Sequence, residues 1–203
     1  MTSTTRKYDN SQREDLADFT RQRILTTAMD QISQGVASLT IPNVALEAGV
    51  SSRTIYRHFP TRDDLLDATW QALNEQLGEV PLELDLGGLC DFLPELFRRY
   101  AAIEDQIRSV IFSNVLQASR RRQGSKRAKA LRGAIDVLIS GADDRSNRMA
   151  RSAAYFLTTP TTMIFLKDNY QLSTEEAAAS AAWSLKTLVE GFRRNPPVVP
   201  NSR

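Results

Sequence analysis

The sequence predicts an all-α protein, and three observations carry that prediction. Apolar residues recur at three- and four-residue intervals through most of the 203 residues, and strand-like alternation is absent. Glycine and proline are sparse, at 9 and 8 residues, and act as punctuation between periodic segments. Helix-start residues, Thr40, Ser51, Thr61 and Ser173, stand just ahead of those segments. The length suits one domain or two small ones, with enough chain for a real core.

Taken in order, residues 1–14 are polar and are expected to form a flexible arm. A first helix is expected from Leu16 to Gln34, with Ile24, Leu25, Ala28 and Ile32 at helical spacing and Gly35 as its left-handed stop. Thr40 caps a short second helix that tolerates Pro42 in its first turn. Val44, Ala45 and Ala48 face inward, Gly49 allows a tight turn, Val50 plugs the core, and Ser51 caps a third helix that Pro60 ends. Thr61 and Asp64 form a capping box for a fourth helix with Leu66, Trp70, Leu73 and Leu77 on one face.

Beyond Leu66 the pattern is that of a helical bundle. Leu89, Phe92, Leu96, Phe97, Tyr100 and Ile103 mark one helix, with Pro94 near its first turn or kinking it. Ile107, Val110, Ile111 and Leu116 mark the next, and a basic connection leads into Leu131, Ile135 and Leu138. A helix from Arg145 to Lys167 is expected to bend near Pro160, and a last one starts at a Ser173–Glu176 capping box and runs to Arg194. The predicted division is an arm over 1–14, a helix-turn-helix domain over 15–64, a helical-bundle domain over 65–195, and a tail over 196–203.

Composition narrows the chemistry. One cysteine, Cys90, and one histidine, His58, rule out an internal disulfide and a His/Cys metal cluster, so no metal or cofactor is expected. There is no Cys-His pair, no second histidine, no phosphate-cradling glycine loop and no HExxH, so an enzyme is not expected. The N-terminus lacks the apolar run of a secretory signal and no stretch is long enough to span a membrane, so a cytoplasmic protein is expected. Net charge is +2, but its distribution is uneven: residues 63–97 hold nine acids and no Lys or Arg, and residues 98–132 hold ten bases and two acids. Such asymmetry orients a protein near a polyanion, and it also describes two plain solvated faces.

The segment "SSRTIYRHFPTR", residues 51–62, is the most informative. It holds three arginines, a tyrosine and the only histidine, without an acid. On a helical wheel Ile55 and Phe59 share a narrow inward stripe, Arg53 and Arg57 lie opposite, and Ser52, Thr54, Tyr56 and His58 cover the flanks. Two short helices joined at Gly49, the second cationic outside, describe a helix-turn-helix. Arginine forks two donors onto guanine in the major groove, and Tyr, Thr and His reach phosphate oxygens.

Residues 21–68, "RQRILTTAMDQISQGVASLTIPNVALEAGVSSRTIYRHFPTRDDLLDA", resemble the DNA-binding domain of the TetR family of bacterial repressors. The combination of "LTI", "VA..AGVS", "TIYRHF" and "DDLL" carries the resemblance over about a quarter of the chain. Ser33, Pro42 and Arg62 depart from the family pattern, Arg62 by replacing a lysine. The resemblance implies that Ser52, Arg53 and Arg57 approach base edges, and that Thr40, Thr54, Tyr56, His58 and Arg62 contact phosphates, with Asn43 and Ser51 in the same surface. It implies a homodimer built from the last two helices, a double-stranded DNA operator as partner, and a small-molecule effector held within the bundle. Residues there with bulk and a polar handle are Tyr100, Phe112, Asn114, Tyr155, Thr159 and Met163, each of which also suits plain core; Arg108 would offset an anionic ligand if it faced inward. The expected function is a ligand-responsive repressor released from a palindromic operator. The alternative is a DNA-bound scaffold whose bundle holds a protein partner and no small molecule.

Overall fold

The computed structural model describes residues 4–35, 39–81, 83–111 and 124–197, with side chains from residue 12 onward. All regular elements among them are α-helices. The chain divides into two compact units, one of residues 1–73 and 108–123, the other of 74–107 and 124–203.

The first unit begins with α1, Thr4–Ser33, a single long helix. The expected arm over 1–14 is therefore replaced by helix from Thr4: no proline or glycine interrupts that stretch, so a polar segment extends the helix behind it. Ile24, Ala28 and Ile32 are fully buried, and Gly35 follows with φ 115°. Thr40 caps α2, Ile41–Glu47, by accepting from the Asn43 backbone N–H, and Pro42 sits in the first turn. Gly49 turns the chain at φ 62°; nothing lies within 4 Å of where its side chain would be, so the backbone angle alone calls for glycine. Val50 is half-buried rather than a core plug. Ser51 caps α3, Ser52–His58. The Thr61 and Asp64 side chains each accept from the other's backbone N–H, which starts α4, Arg62–Gln76. Its buried stripe is Leu65, Leu66, Thr69 and Leu73, with Trp70 half-buried at its edge. α4 runs across residue 73, where the first stretch of the first unit ends.

The second unit is a bundle. Asp85 caps α5, Leu86–Ala102, which buries Leu89, Leu93, Leu96, Phe97 and Tyr100. Pro94 lies inside α5, not in its first turn. α6, Glu104–Ile111, follows and crosses the division between residues 107 and 108. Ser125 caps α7, Lys126–Leu138, and Asp143 caps α8, Asp144–Leu157. The expected single helix over 145–167 is two, α8 and α9, Pro160–Tyr170. Proline at 160 has no N–H to continue the ladder and is at home in a first turn, so the chain breaks at Thr158–Thr159 instead of bending. The predicted Ser173–Glu176 capping box opens α10, Thr174–Arg194. α10 packs on α5, α8 and α9, and α7 packs on α8. Ala154, Ala177, Ala178 and Ala181 are buried in this packing, so these small residues serve helix approach within the chain.

Candidate nucleic-acid interface

α3 is held by two anchors, Ile55 at 0% and Phe59 at 2% exposure. Burial of each contributes about 1.5–3 kcal/mol, a large stake for a helix too short to persist alone. A third tie comes from α1: the Arg21 guanidinium lies 4.4 Å from the Phe59 ring centroid and donates to the His58 carbonyl at 3.5 Å. Arg21 was not singled out in the sequence; its signal is a cation on the edge of the Ile24–Ala28 stripe, where the side chain stem can pack.

With the inner face so fixed, the outer face is free. Ser52, Arg53, Tyr56 and Arg57 are exposed and have no hydrogen bond or ion pair among the described residues. The remaining predicted contact residues are more committed. Ser51 Oγ accepts from the Thr54 backbone N–H at 3.1 Å and lies 2.9 Å from the Thr54 hydroxyl. Thr40 is half-buried with its hydroxyl oxygen in the α2 cap, and Asn43 is exposed on the first turn of α2. Arg62 is exposed but donates from Nη2 to the Leu39 carbonyl at 3.3 Å, which ties the start of α4 to the entry of α2.

His58 is half-buried, and its Nε2 is buried with no hydrogen-bond partner among the described residues. Burial, then the charges of Arg57 and Arg21, hold the imidazole below its ordinary value of 6.5, with Asp18 opposing them. The ring works as a neutral packing element at the helix end, where its centroid lies 6.4 Å from that of Phe59.

The predicted ligand-lining residues are scattered. Tyr100 is 2% exposed and its hydroxyl donates to the Thr158 carbonyl at 3.1 Å; burial pushes its phenol up to about 12. Met163 is fully buried, and the Thr159 hydroxyl donates to the Phe156 carbonyl. Tyr155 is half-buried and lines an open cleft of about 540 Å³ between α7 and α8, together with Arg132, Ile135, Asn147 and Arg151. Phe112 and Asn114 lie outside the described residues. Arg108 is half-buried and engaged with a partner. Two arginines that the sequence reading passed over as part of a basic connection, Arg127 and Arg132, stand beside Tyr100 and Tyr155. Arg127 had a signal: it precedes Leu131 by four residues and so shares the buried stripe of α7.

No described helix is long and apolar enough to cross a membrane, and no group of metal-ligating side chains occurs among the described residues.

A cationic, acid-free helix set on an apolar seat in a helix-turn-helix, with a separate bundle following it, is the arrangement used by DNA-binding domains of the helix-turn-helix class. Residues 24–69 match the family of bacterial regulatory proteins, tetR family. Those residues are a domain of that family. It is 40% identical over 68 residues to the HTH-type transcriptional regulator AcrR of Shigella flexneri, covering 33% of this chain and 32% of the relative. It is 29% identical over 176 residues to the HTH-type transcriptional regulator HbdR of Aromatoleum sp. (strain CIB), covering 84% of this chain and 71% of the relative. Against the HTH-type transcriptional regulator SrpR of Pseudomonas putida it is 35% identical over 81 residues, 39% of this chain and 33% of the relative. The chain thus spans about a third of AcrR and of SrpR. The fold is shared with a tetR-family transcriptional regulator from Streptomyces coelicolor, at TM-score 0.60 and 16% identity over 89% of this chain and 90% of that one. It is shared also with NalD, the secondary repressor of the MexAB-OprM multidrug efflux pump in Pseudomonas aeruginosa, at TM-score 0.57 and 20% identity over 90% and 98% of the two chains.

Proposed function

We propose that the protein is a transcriptional repressor that binds a palindromic operator as a homodimer and leaves it when a small-molecule effector enters the second unit. The observation that carries the DNA half is the outer face of α3, where Ser52, Arg53, Tyr56 and Arg57 stand exposed, with no hydrogen bond or ion pair among the described residues, on a fully anchored helix. Arg53 and Arg57 read bases; Ser52 adds a base contact; Thr40, Thr54, Tyr56 and Arg62 fix the backbone. Asn43 and Ser51 border the same surface. Dimerisation is supported by apolar side chains left outward on α8 and α10: Met149 at 45%, Phe156 at 49% and Trp183 at 71% exposure. A two-fold pair of α3 helices then meets successive major grooves about 34–36 Å apart. α4 belongs to both units in sequence, and it is the element through which a ligand bound to the second unit would bias the first.

The test starts by selecting an operator from a random duplex library and measuring release by a panel of small molecules. A true effector changes Trp70 fluorescence and loosens the operator over one concentration range, with a coupling of about 1–3 kcal/mol. Operator binding that responds to no small molecule, while a protein partner holds the bundle, would establish the scaffold instead.

A further inference from the structure

α4 ends without a cation of its own. Its last turn holds no Lys or Arg, and residues 63–97 hold none at all. A helix C-terminus carries partial negative charge and carbonyls without helical partners, and Glu75 adds a carboxylate there. The cation comes from α5. Arg99, in the last turn of that helix, donates from Nη1 to the Glu79 carbonyl at 2.9 Å and to the Leu77 carbonyl at 3.3 Å, in the turn just past α4.

The guanidinium is fixed on its other sides too. Its Nε donates to Glu95 Oε1 at 2.9 Å, one turn back on α5, and its Cζ lies 5.5 Å from the Phe92 ring centroid. Glu95 Oε2 accepts from Arg98 at 2.6 Å, so the carboxylate is itself held. Gly78 completes the seat. It turns the chain at φ 67°, and a side-chain carbon there would stand 2.8 Å from Arg99 Nη1. Both the angle and the space call for glycine here, whereas at Gly49 only the angle does. A planar fork with three acceptors around it and a ring beside it defines one geometry, which the point charge of a lysine does not reproduce.

All of these partners lie within the second unit. α4, however, starts at Arg62, four residues after α3 ends at His58, and reaches the second unit at Asn74. A rigid helix carries to one end what is fixed at the other. We infer that Arg99 is a positioning residue for operator binding: through the Leu77 and Glu79 carbonyls it sets the direction of α4 at its bundle end, and with it the spacing of the two α3 helices in the dimer. This rests on the dimeric-repressor reading above and names what holds the spacing that reading requires. With the joint loosened, the dimer spreads over several spacings, only some of which fit two successive major grooves, so part of the gain from linking two sites is lost.

The experiment uses the full chain and the selected operator, by fluorescence anisotropy at fixed salt, on two duplexes: the intact palindrome and one with a single half-site scrambled. The wild type favours the intact duplex by roughly 100-fold or more, and Arg99→Gln lowers that preference about tenfold while single half-site affinity and the base profile stay unchanged. Gly78→Ala, which pushes against Nη1, moves the preference in the same direction, and Arg99→Lys falls between. A side chain that only stabilised the fold would weaken both duplexes alike. If Arg99→Gln does not fold, Arg99→Lys and Glu95→Gln decide. An unchanged or raised preference in a folded variant, an equal loss on both duplexes, or a changed base profile overturns the inference and leaves the dimeric reading standing. A wild type that binds one half-site as tightly as two removes the dimeric reading, and the inference falls with it.

Discussion

Replacing Arg53 and Arg57 by alanine, singly and together, is the sharpest test of how this protein reads DNA. Both side chains are exposed and make no hydrogen bond or ion pair among the described residues, so their truncation removes no internal contact. Fold stability should change by no more than about 0.5 kcal/mol. Their loss is then felt only at the operator. A bidentate arginine–guanine pair contributes about 1–3 kcal/mol of discrimination against the wrong base. At 1.4 kcal/mol per decade, that is roughly 5- to 150-fold per base pair, applied at both half-sites of a palindrome. The assay is fluorescence anisotropy at fixed salt over every single-base variant of the selected operator. Each single variant should flatten the profile at one position per half-site and leave the others intact. Tyr56→Phe is the control: it removes a hydroxyl placed for phosphate and should weaken all sequences alike, by about 1 kcal/mol. An Arg53/Arg57 double variant with an unchanged base profile would refute the assignment, since no other exposed cation lies on α3.

Two further outcomes concern stability. The imidazole of His58 is held below 6.5 in the fold, so the unfolded chain takes up a proton first as pH drops; stability should be full above 6.5, fall below it, and level off once the folded form also protonates. Thermal melts of wild type and His58→Asn over that range check this, and the variant should lose that component of the slope. Ser173→Ala removes the hydroxyl that accepts from the Glu176 N–H at 3.2 Å and should cost about 1 kcal/mol, lowering Tm by a few degrees.

The DNA-binding half was legible in the sequence because its determinants are local. A cap such as Ser51 is read within three residues, the turn at Gly49 follows from one backbone angle, and the opposition of Arg53 and Arg57 to Ile55 follows from a helical period. The same logic located the Thr61–Asp64 and Ser173–Glu176 boxes and the start of α10. What escaped was whatever depends on contacts distant in sequence. The burial of His58 Nε2 beside Phe59, and the tie from Arg21, 37 residues away, to the His58 carbonyl could not be read from the sequence. The break at Thr158–Thr159 follows from Pro160 starting a helix rather than bending one, a choice made with the Tyr100 hydroxyl on the Thr158 carbonyl. Arg127 reads in sequence as one base in a basic run, and only the tertiary structure sets its guanidinium 5.5 Å from the Tyr100 ring centroid and its Nη2 on Asn74 Oδ1. Period and caps are written into neighbouring residues, so the sequence by itself determined most of the helices and the outward face of α3. Burial and hydrogen-bond satisfaction are properties of groups brought together from far apart, and those the tertiary structure alone decided.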